Sequence, residues 1–404
     1  TAEEEIMQKR TFLTIAAGAA LAAAIGIGTA SAHHDIKIGV VGPKTGPLAA
    51  GAAITHFPSF KLWAHEINEA GGIKLKDGRH KIKLIVYDDR TNPGETIKAI
   101  QRLATQDKAD FIMAPYGTGF NLATAPIFDK YGYPQIALAA VSDKVDALVK
   151  RFPNLFFVNG TTTQYASTLV NVLKKLKDEG KINNRVAVVN VGDTFGIELA
   201  NAGRPLFKAA GFDIVYDKSY PLGTQDLAPV IKGAKASNPD SFVAWSYPPD
   251  TFGLAEQAKI EGLNVKVYYS AVATAFQGFG GKFGKSAEGI IGAGGIRYSA
   301  ELRDYYKRMK KVTGVDVDFW GSPNYYATLQ AITQTFEAVG SMDRKAFTKY
   351  MKTHTYNTIM GLYDLRNQKL NQLWTVGQWQ NGDFNGVAGI GIQGAKPVML
   401  KKGW

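Results

Sequence analysis

The sequence predicts an α/β protein of two doubly wound parallel-sheet lobes. Three observations point there. The chain has 404 residues, about twice the size of a common globular domain. From Asp35 onward, short β-branched runs alternate with amphipathic helical stretches, the pattern of βαβ units on a parallel sheet. The alternation comes in two series of similar size and rhythm, and no low-complexity linker separates them. Several short crossovers, not one hinge, should therefore join the lobes.

Residues 36–41 read as the first strand. The helix over 58–70 places Phe60, Trp63, Ala64 and Ile67 on one stripe and stops at Gly71-Gly72. A strand follows at 82–87, and Pro93 opens a helix that runs to Thr105. A strand at 111–113, a helix at 121–131 and a strand at 135–138 complete the first series. The second begins near Asn159, with a helix at 164–177, strands at 186–191, 214–220, 242–245 and 267–269, and helices at 197–210, 226–236 and 251–261. After Gly289 come a Gly-rich strand, helical segments at 300–313, 322–339 and 344–353, and an aromatic, strand-like tail from Leu362 to Trp404. In such folds ligands sit beyond the carboxyl ends of the strands, in the crevice between lobes.

The first 32 residues read as an address. Lys9-Arg10 precede an uncharged Ala-, Gly- and Leu-rich stretch that closes with Ala30-Ser31-Ala32, a secretory signal with cleavage expected before His33 and Met7 as the true start. Lys9 stands where a twin-arginine signal has its first arginine, so Sec and Tat export are not separated. The mature chain is expected to be exported to the periplasm, soluble and monomeric.

Composition removes several chemistries. The absence of cysteine excludes disulfides, thiolate metal sites and a cysteine nucleophile. Net charge is +12, but the Lys and Arg spread over helix faces without basic runs or aromatic interleaving, so no nucleic-acid partner is expected. Gly280-Gly281-Lys282-Phe283-Gly284-Lys285-Ser286 ends like a phosphate-binding loop, yet Phe279 stands where that motif needs glycine. The six histidines show no H-E-x-x-H spacing, and no G-x-S-x-G elbow or triad context is present. Asp88-Asp89, as neighbours at a strand end, point to opposite faces and suit loop solvation and capping. Neither an enzyme nor a metal or cofactor site is expected.

Two loops carry a mechanism. Pro115-Tyr116-Gly117-Thr118-Gly119-Phe120 follows a strand and opens a helix, so its amides and the Thr118 hydroxyl converge at a helix start, a seat for an anion. Ala139-Ala140-Val141-Ser142 repeats the arrangement after the next strand, with Ser142 as the expected helix cap. Together they favour a carboxylate.

These residues resemble a known family. Gly42-Pro43-Lys44-Thr45-Gly46-Pro47, the helix ending Asn68-Glu69-Ala70-Gly71-Gly72-Ile73, Tyr87-Asp88-Asp89 with Asn92-Pro93, and the loops at 116–120 and 139–142 are similar to the type I periplasmic solute-binding proteins of ABC transporters, in particular the Leu/Ile/Val-binding protein family. The resemblance runs from Ile36 over nearly the whole mature chain. It implies two lobes joined by three crossovers, here 33–158 with 290–362 and 159–289 with 363–404, closing on a ligand that is handed to an inner-membrane permease. It further implies that Thr118 and Gly119 bind the ligand carboxylate, with Ala140 and Ser142 on a second carboxylate loop. Phe195 matches a cleft aromatic, Trp245 to Tyr247 fall on another cleft loop, and Ala271 stands near the acid that holds an amino acid's ammonium group.

That acid is missing. Neither the loop at 159–165, which contains Thr163, nor the stretch 268–273 holds a carboxylate, although Asp193 or Asp250 could substitute. An unpaired buried ammonium is very costly. With Tyr116, Phe120, Tyr165, Phe195, Trp245, Tyr247 and Phe276 on cleft loops, the sequence points to a small organic anion without an α-ammonium, such as an aryl or branched 2-oxo acid. The runner-up is an amino-acid binder of the same fold. A different class is a sensory protein that reports its ligand to a membrane receptor.

Overall fold

The structure is a computed structural model that describes residues 34–295, 299–370, 375–389 and 395–404. The expected leader and its cleavage point before His33 lie outside the described residues.

The first lobe contains β1 (Ile36–Gly42), a hairpin of β2 (Ile73–Leu75) and β3 (Gly78–His80), β4 (Ile82–Asp88), β5 (Phe111–Ile112), β6 (Gln135–Ala137) and β7 (Leu155–Phe157). β1 lies between β4 and β5, all parallel, and β6 pairs in parallel with β7. Ile36, Ile38 and Val40 join one apolar cluster while Val41 joins another, so β1 is buried on both faces and nearly all apolar. The helix Pro93–Thr105 keeps its expected bounds because Asn92 accepts from the Gly94 and Glu95 amides at 2.8 and 3.1 Å, with Pro93 preset for the first turn. The helix expected at 58–70 spans His56–Glu69 and is preceded by a shorter one, Ala49–Ile54.

The second lobe contains β8 (Arg185–Val191), β9 (Asp213–Tyr220), β10 (Ser241–Trp245), β11 (Val267–Ala271) and β12 (Ile291–Ala293). The chain then forms a hairpin of β13 (Thr355–Thr358) and β14 (Gly361–Asp364), followed by β15 (Thr375–Gln380) and β16 (Asp383–Gly389). A seven-stranded sheet has the order β16-β15-β12-β11-β10-β8-β9, parallel from β9 to β12 and antiparallel at β15 and β16. The helix entering this lobe, Thr162–Asp178, carries a reciprocal cap: Gln164 N donates to Thr161 Oγ1 at 3.1 Å and Thr161 N to Gln164 Oε1 at 3.0 Å.

Two expected lobe boundaries move. β12, placed with the first lobe by the boundary at 290, is paired with β11 and β15 in the second-lobe sheet. Its glycine permits the approach, since a Cβ on Gly292 would stand 2.5 Å from Thr274 Cβ. Residues 363–370, expected in the second lobe, stay with the first. Tyr363, Leu365 and Leu370 are buried beside Phe156 and Val158, and Leu370 N donates to Phe157 O at 3.0 Å.

Both lobes meet across the cleft. Leu48, Ala52, Tyr116, Phe120 and Val141 of the first lobe pack into the apolar cluster of the second, and Lys144 Nζ lies 3.1 Å from Glu198 Oε1 on the helix Thr194–Ala209. That helix starts hard against the end of β8. A Cβ on Gly196 would lie 2.1 Å from the Val191 carbonyl oxygen, a backbone atom that cannot rotate away. Gly196→Ala should therefore cost about 1–3 kcal/mol of stability, read as a lowered unfolding temperature. An unchanged midpoint would show that the helix start shifts freely.

Candidate functional site

Strand β5 leads through Met113–Gly117 to a helix that begins at Thr118, three residues before the expected start. Gly117 makes the early start possible with φ 100°. Asn121, which reads in sequence like a first-turn residue, is instead buried, and its Nδ2 donates to the Pro115 and Gly117 carbonyls at 2.7 and 2.9 Å. The helix Thr118–Lys130 has no side-chain cap. The Thr118 hydroxyl oxygen accepts from the Val141 amide at 3.2 Å, which ties the two anion loops together and leaves its own hydrogen to donate.

Of the helix starts around the cleft, those at His56, Thr118 and Thr162 have no acid in the first turn, whereas three others hold one. The helix Thr194–Ala209 is capped by Asp193, which accepts from Gly196 N at 3.0 Å. Gly321–Val339 starts on Asp318, whose carboxylate accepts from the Trp320 and Ser322 amides at 2.8 and 2.9 Å. Pro248–Glu261 opens with two prolines, which have no N–H, and has Asp250 in its first turn. Each of these three already holds an acid. Thr118–Lys130 has none in its first turn, so its N-terminal dipole and amides remain for an external anion.

Between the lobes lies a cleft that is partly open to solvent. Its first-lobe walls include Thr55, Tyr116, Gly117, Thr118 and residues 138–141; the second lobe supplies Phe195, Tyr247, Val272 and Phe276. The Phe195 and Tyr247 rings lie 4.9 Å apart at 32°, forming an aromatic wall. Among the described residues the eighteen that line this space include no charged side chain, and so no carboxylate.

The structure brings Tyr116, Thr118, Ala140, Phe195 and Tyr247 of the expected set to this cleft. It puts the others elsewhere. Gly119 faces the opposite lobe, where a Cβ would stand 3.1 Å from Thr194 Oγ1, and Phe120 packs into the interlobe cluster. Ser142 does not cap the next helix, which starts at Val145 with Lys144 as cap residue; its oxygen accepts from Lys144 N at 3.1 Å in a tight turn. Thr163 donates from both N and Oγ1 to Asp143, at 2.9 and 2.7 Å. Trp245 is fully buried, because β10 runs through it and turns its ring onto Tyr165 and Tyr269. Ala271 ends β11 as a buried residue and its successor Val272 reaches the cleft.

The two acids considered as ammonium partners are committed or shielded. Asp193 Oδ2 accepts from Tyr247 Oη at 3.0 Å in addition to its capping bond. Asp250 is buried, and desolvation raises its pKa from 3.8 to about 6. Because the native state holds this proton more tightly than the unfolded chain, the contribution to stability is present in full below about pH 4 and is lost as pH rises through about 6. Asp250→Asn should accordingly unfold at a higher temperature than the parent at pH 8 and lose that advantage at pH 4. An advantage independent of pH would contradict this.

The sequence reading missed one wall. Trp320, Gly321, Asn324 and Tyr325 start the helix Gly321–Val339 and line the cleft beside Asn159. Asn324 Nδ2 donates to Asn159 Oδ1 at 2.6 Å, Tyr363 Oη to Asn324 Oδ1 at 2.9 Å, and Asn159 Nδ2 to the Leu138 carbonyl at 3.2 Å. This chain of bonds fixes the loop after β6 from behind. Among the described residues no group of three or more His, Asp or Glu is arranged to hold a metal ion, and no helix is long and apolar enough to cross a membrane.

The sequence profile of a family described as periplasmic binding protein matches residues 35–383. The chain belongs to that family. Among relatives of this periplasmic binding protein, an amino acid binding protein of Pseudomonas aeruginosa is 25% identical over 369 residues, covering 88% of this chain and 92% of the relative. The Leu/Ile/Val-binding protein of Escherichia coli is 24% identical over 335 residues, covering 81% and 86%. A solute binding protein of an ABC transporter from Rhodopseudomonas palustris, solved with 3,4-dihydroxybenzoic acid, superimposes with a TM-score of 0.75 over 90% of this chain and 98% of its own at 21% identity. The fold is thus the type I architecture of two α/β lobes, and the family consists of exported solute-binding proteins.

Proposed function

We propose that this periplasmic binding protein captures a small carboxylate without an α-ammonium group, an aryl acid or a branched or aromatic 2-oxo acid, and delivers it to an ABC permease of the inner membrane. The observation that carries this reading is the helix start at Thr118, free of any capping acid, beside a cleft with no charged side chain among its described lining residues. An anion there gains amide and hydroxyl bonds and a favourable dipole, whereas an ammonium group finds no counter-charge. Phe195 and Tyr247 suit a flat or branched body. The neighbour solved with 3,4-dihydroxybenzoic acid has the same architecture and supports an aryl acid as one such ligand. In this reading the protein acts as a monomer, and cleavage before His33 releases it into the periplasm.

A thermal-shift screen across aryl acids, 2-oxo acids and amino acids tests the proposal. A ligand at about 100 times its dissociation constant adds about 2.7 kcal/mol to stability, enough for a clear shift. Shifts from acids alone support it; shifts from amino acids alone overturn it in favour of the amino-acid reading suggested by the named relatives.

A further inference from the structure

His56 and Tyr325 form a buried pair behind the cleft. His56 Nε2 lies 3.0 Å from the Val41 carbonyl oxygen and Nδ1 lies 3.1 Å from Tyr325 Oη. A carbonyl only accepts, so Nε2 must carry the hydrogen. Burial also takes the imidazole down to about 3, which keeps it neutral. Nδ1 is then an acceptor, and the only hydrogen that can fill the contact is the one on Tyr325 Oη. The tyrosine, itself a lining residue of the cleft, has committed its donor to the protein and has only oxygen lone pairs left to offer a ligand. Three ring contacts hold the imidazole in place, from Phe57, Phe60 and Tyr116 at 4.8 to 5.9 Å, so the polarity of the pair is fixed by packing.

We propose that Tyr325, oriented by His56 as a positioning residue, selects within the carboxylate class for ligands that carry a hydroxyl donor on the apolar body. This rests on the carboxylate reading and sharpens it. A second carboxylate, ether or halogen presented to Tyr325 meets an acceptor with an acceptor and is rejected, while a hydroxyl can donate to the oxygen's lone pairs. The ligand's own acid end is repelled from this wall toward the amides at Thr118. The class is therefore a hydroxylated aryl acid or its branched hydroxy equivalent.

The test is isothermal titration with benzoate, 3- and 4-hydroxybenzoate, and the matching fluorobenzoates, which have a similar size but no donor. The better hydroxy isomer should bind about tenfold or more tightly than its fluoro counterpart. In Tyr325→Phe that ratio should fall to near one or invert, since the ligand hydroxyl is then buried without a partner. Even if Tyr325→Phe fails to fold, the absence of a hydroxyl preference in the parent protein overturns the inference. Acids that bind with no hydroxyl preference, or a preference that survives in Tyr325→Phe, overturn this inference and leave the carboxylate reading standing. Failure of every acid to bind, with binding of phenylalanine or leucine in the same cell, overturns both.

Discussion

Thr118→Val should weaken binding of the carboxylate ligand at least tenfold. The substitution keeps the shape of the side chain and removes only the hydroxyl. That hydroxyl does two things: it accepts from Val141 N at 3.2 Å and it has a hydrogen left for the ligand. A hydrogen bond to a charged group contributes roughly 1.5 to 3 kcal/mol, and each 1.4 kcal/mol is about a decade in affinity. Valine also leaves the Val141 amide without its acceptor, which loosens the second loop at the moment the lobes close. Thr118→Ser, which keeps the hydroxyl, should retain most of the affinity. Calorimetry measures both. An unchanged dissociation constant for the valine variant would place the anion seat elsewhere.

Much of this site was legible in the sequence because its parts are local. The strand-loop-helix pattern around Tyr116–Phe120 and the Asn92-Pro93 cap announce their geometry within a few residues. What was not legible depends on partners far along the chain. The wall made by Trp320 to Tyr325 comes from the second passage of the chain through the first lobe, and only tertiary contact brings it beside Asn159. β12 gives no local sign of which sheet it joins; its pairing with β11 and β15 decides that. Trp245 misled for a simpler reason. An aromatic at a strand end can point to the cleft or into the sheet, and this one packs inward against Tyr165 and Tyr269. Ser142 has the residue type of a cap, whereas the chain makes one more turn before the helix begins.

The largest effect expected is the discrimination between an amino acid and its 2-oxo counterpart. The two differ at one carbon, where an ammonium replaces a carbonyl. The cleft offers that group no carboxylate among its lining residues. Asp193 already accepts from Gly196 N and Tyr247 Oη, and Asp250 is held toward its neutral form by burial. A cation enclosed there loses its water without gaining a counter-ion, a penalty of several kcal/mol even after water penetration. The 2-oxo acid loses no such hydration and keeps every bond at the Thr118 helix start. The difference should therefore exceed two decades in affinity.

The most direct measurement is a paired titration of phenylpyruvate with phenylalanine, and of 2-oxoisocaproate with leucine, in one buffer at neutral pH. Tighter binding of at least one oxo acid, by about 100-fold or more over its amino partner, is the predicted result. Equal or tighter binding of the amino acids would contradict the account, because an acid such as Asp193 or Asp250 would then have to turn into the cleft and pair the ammonium.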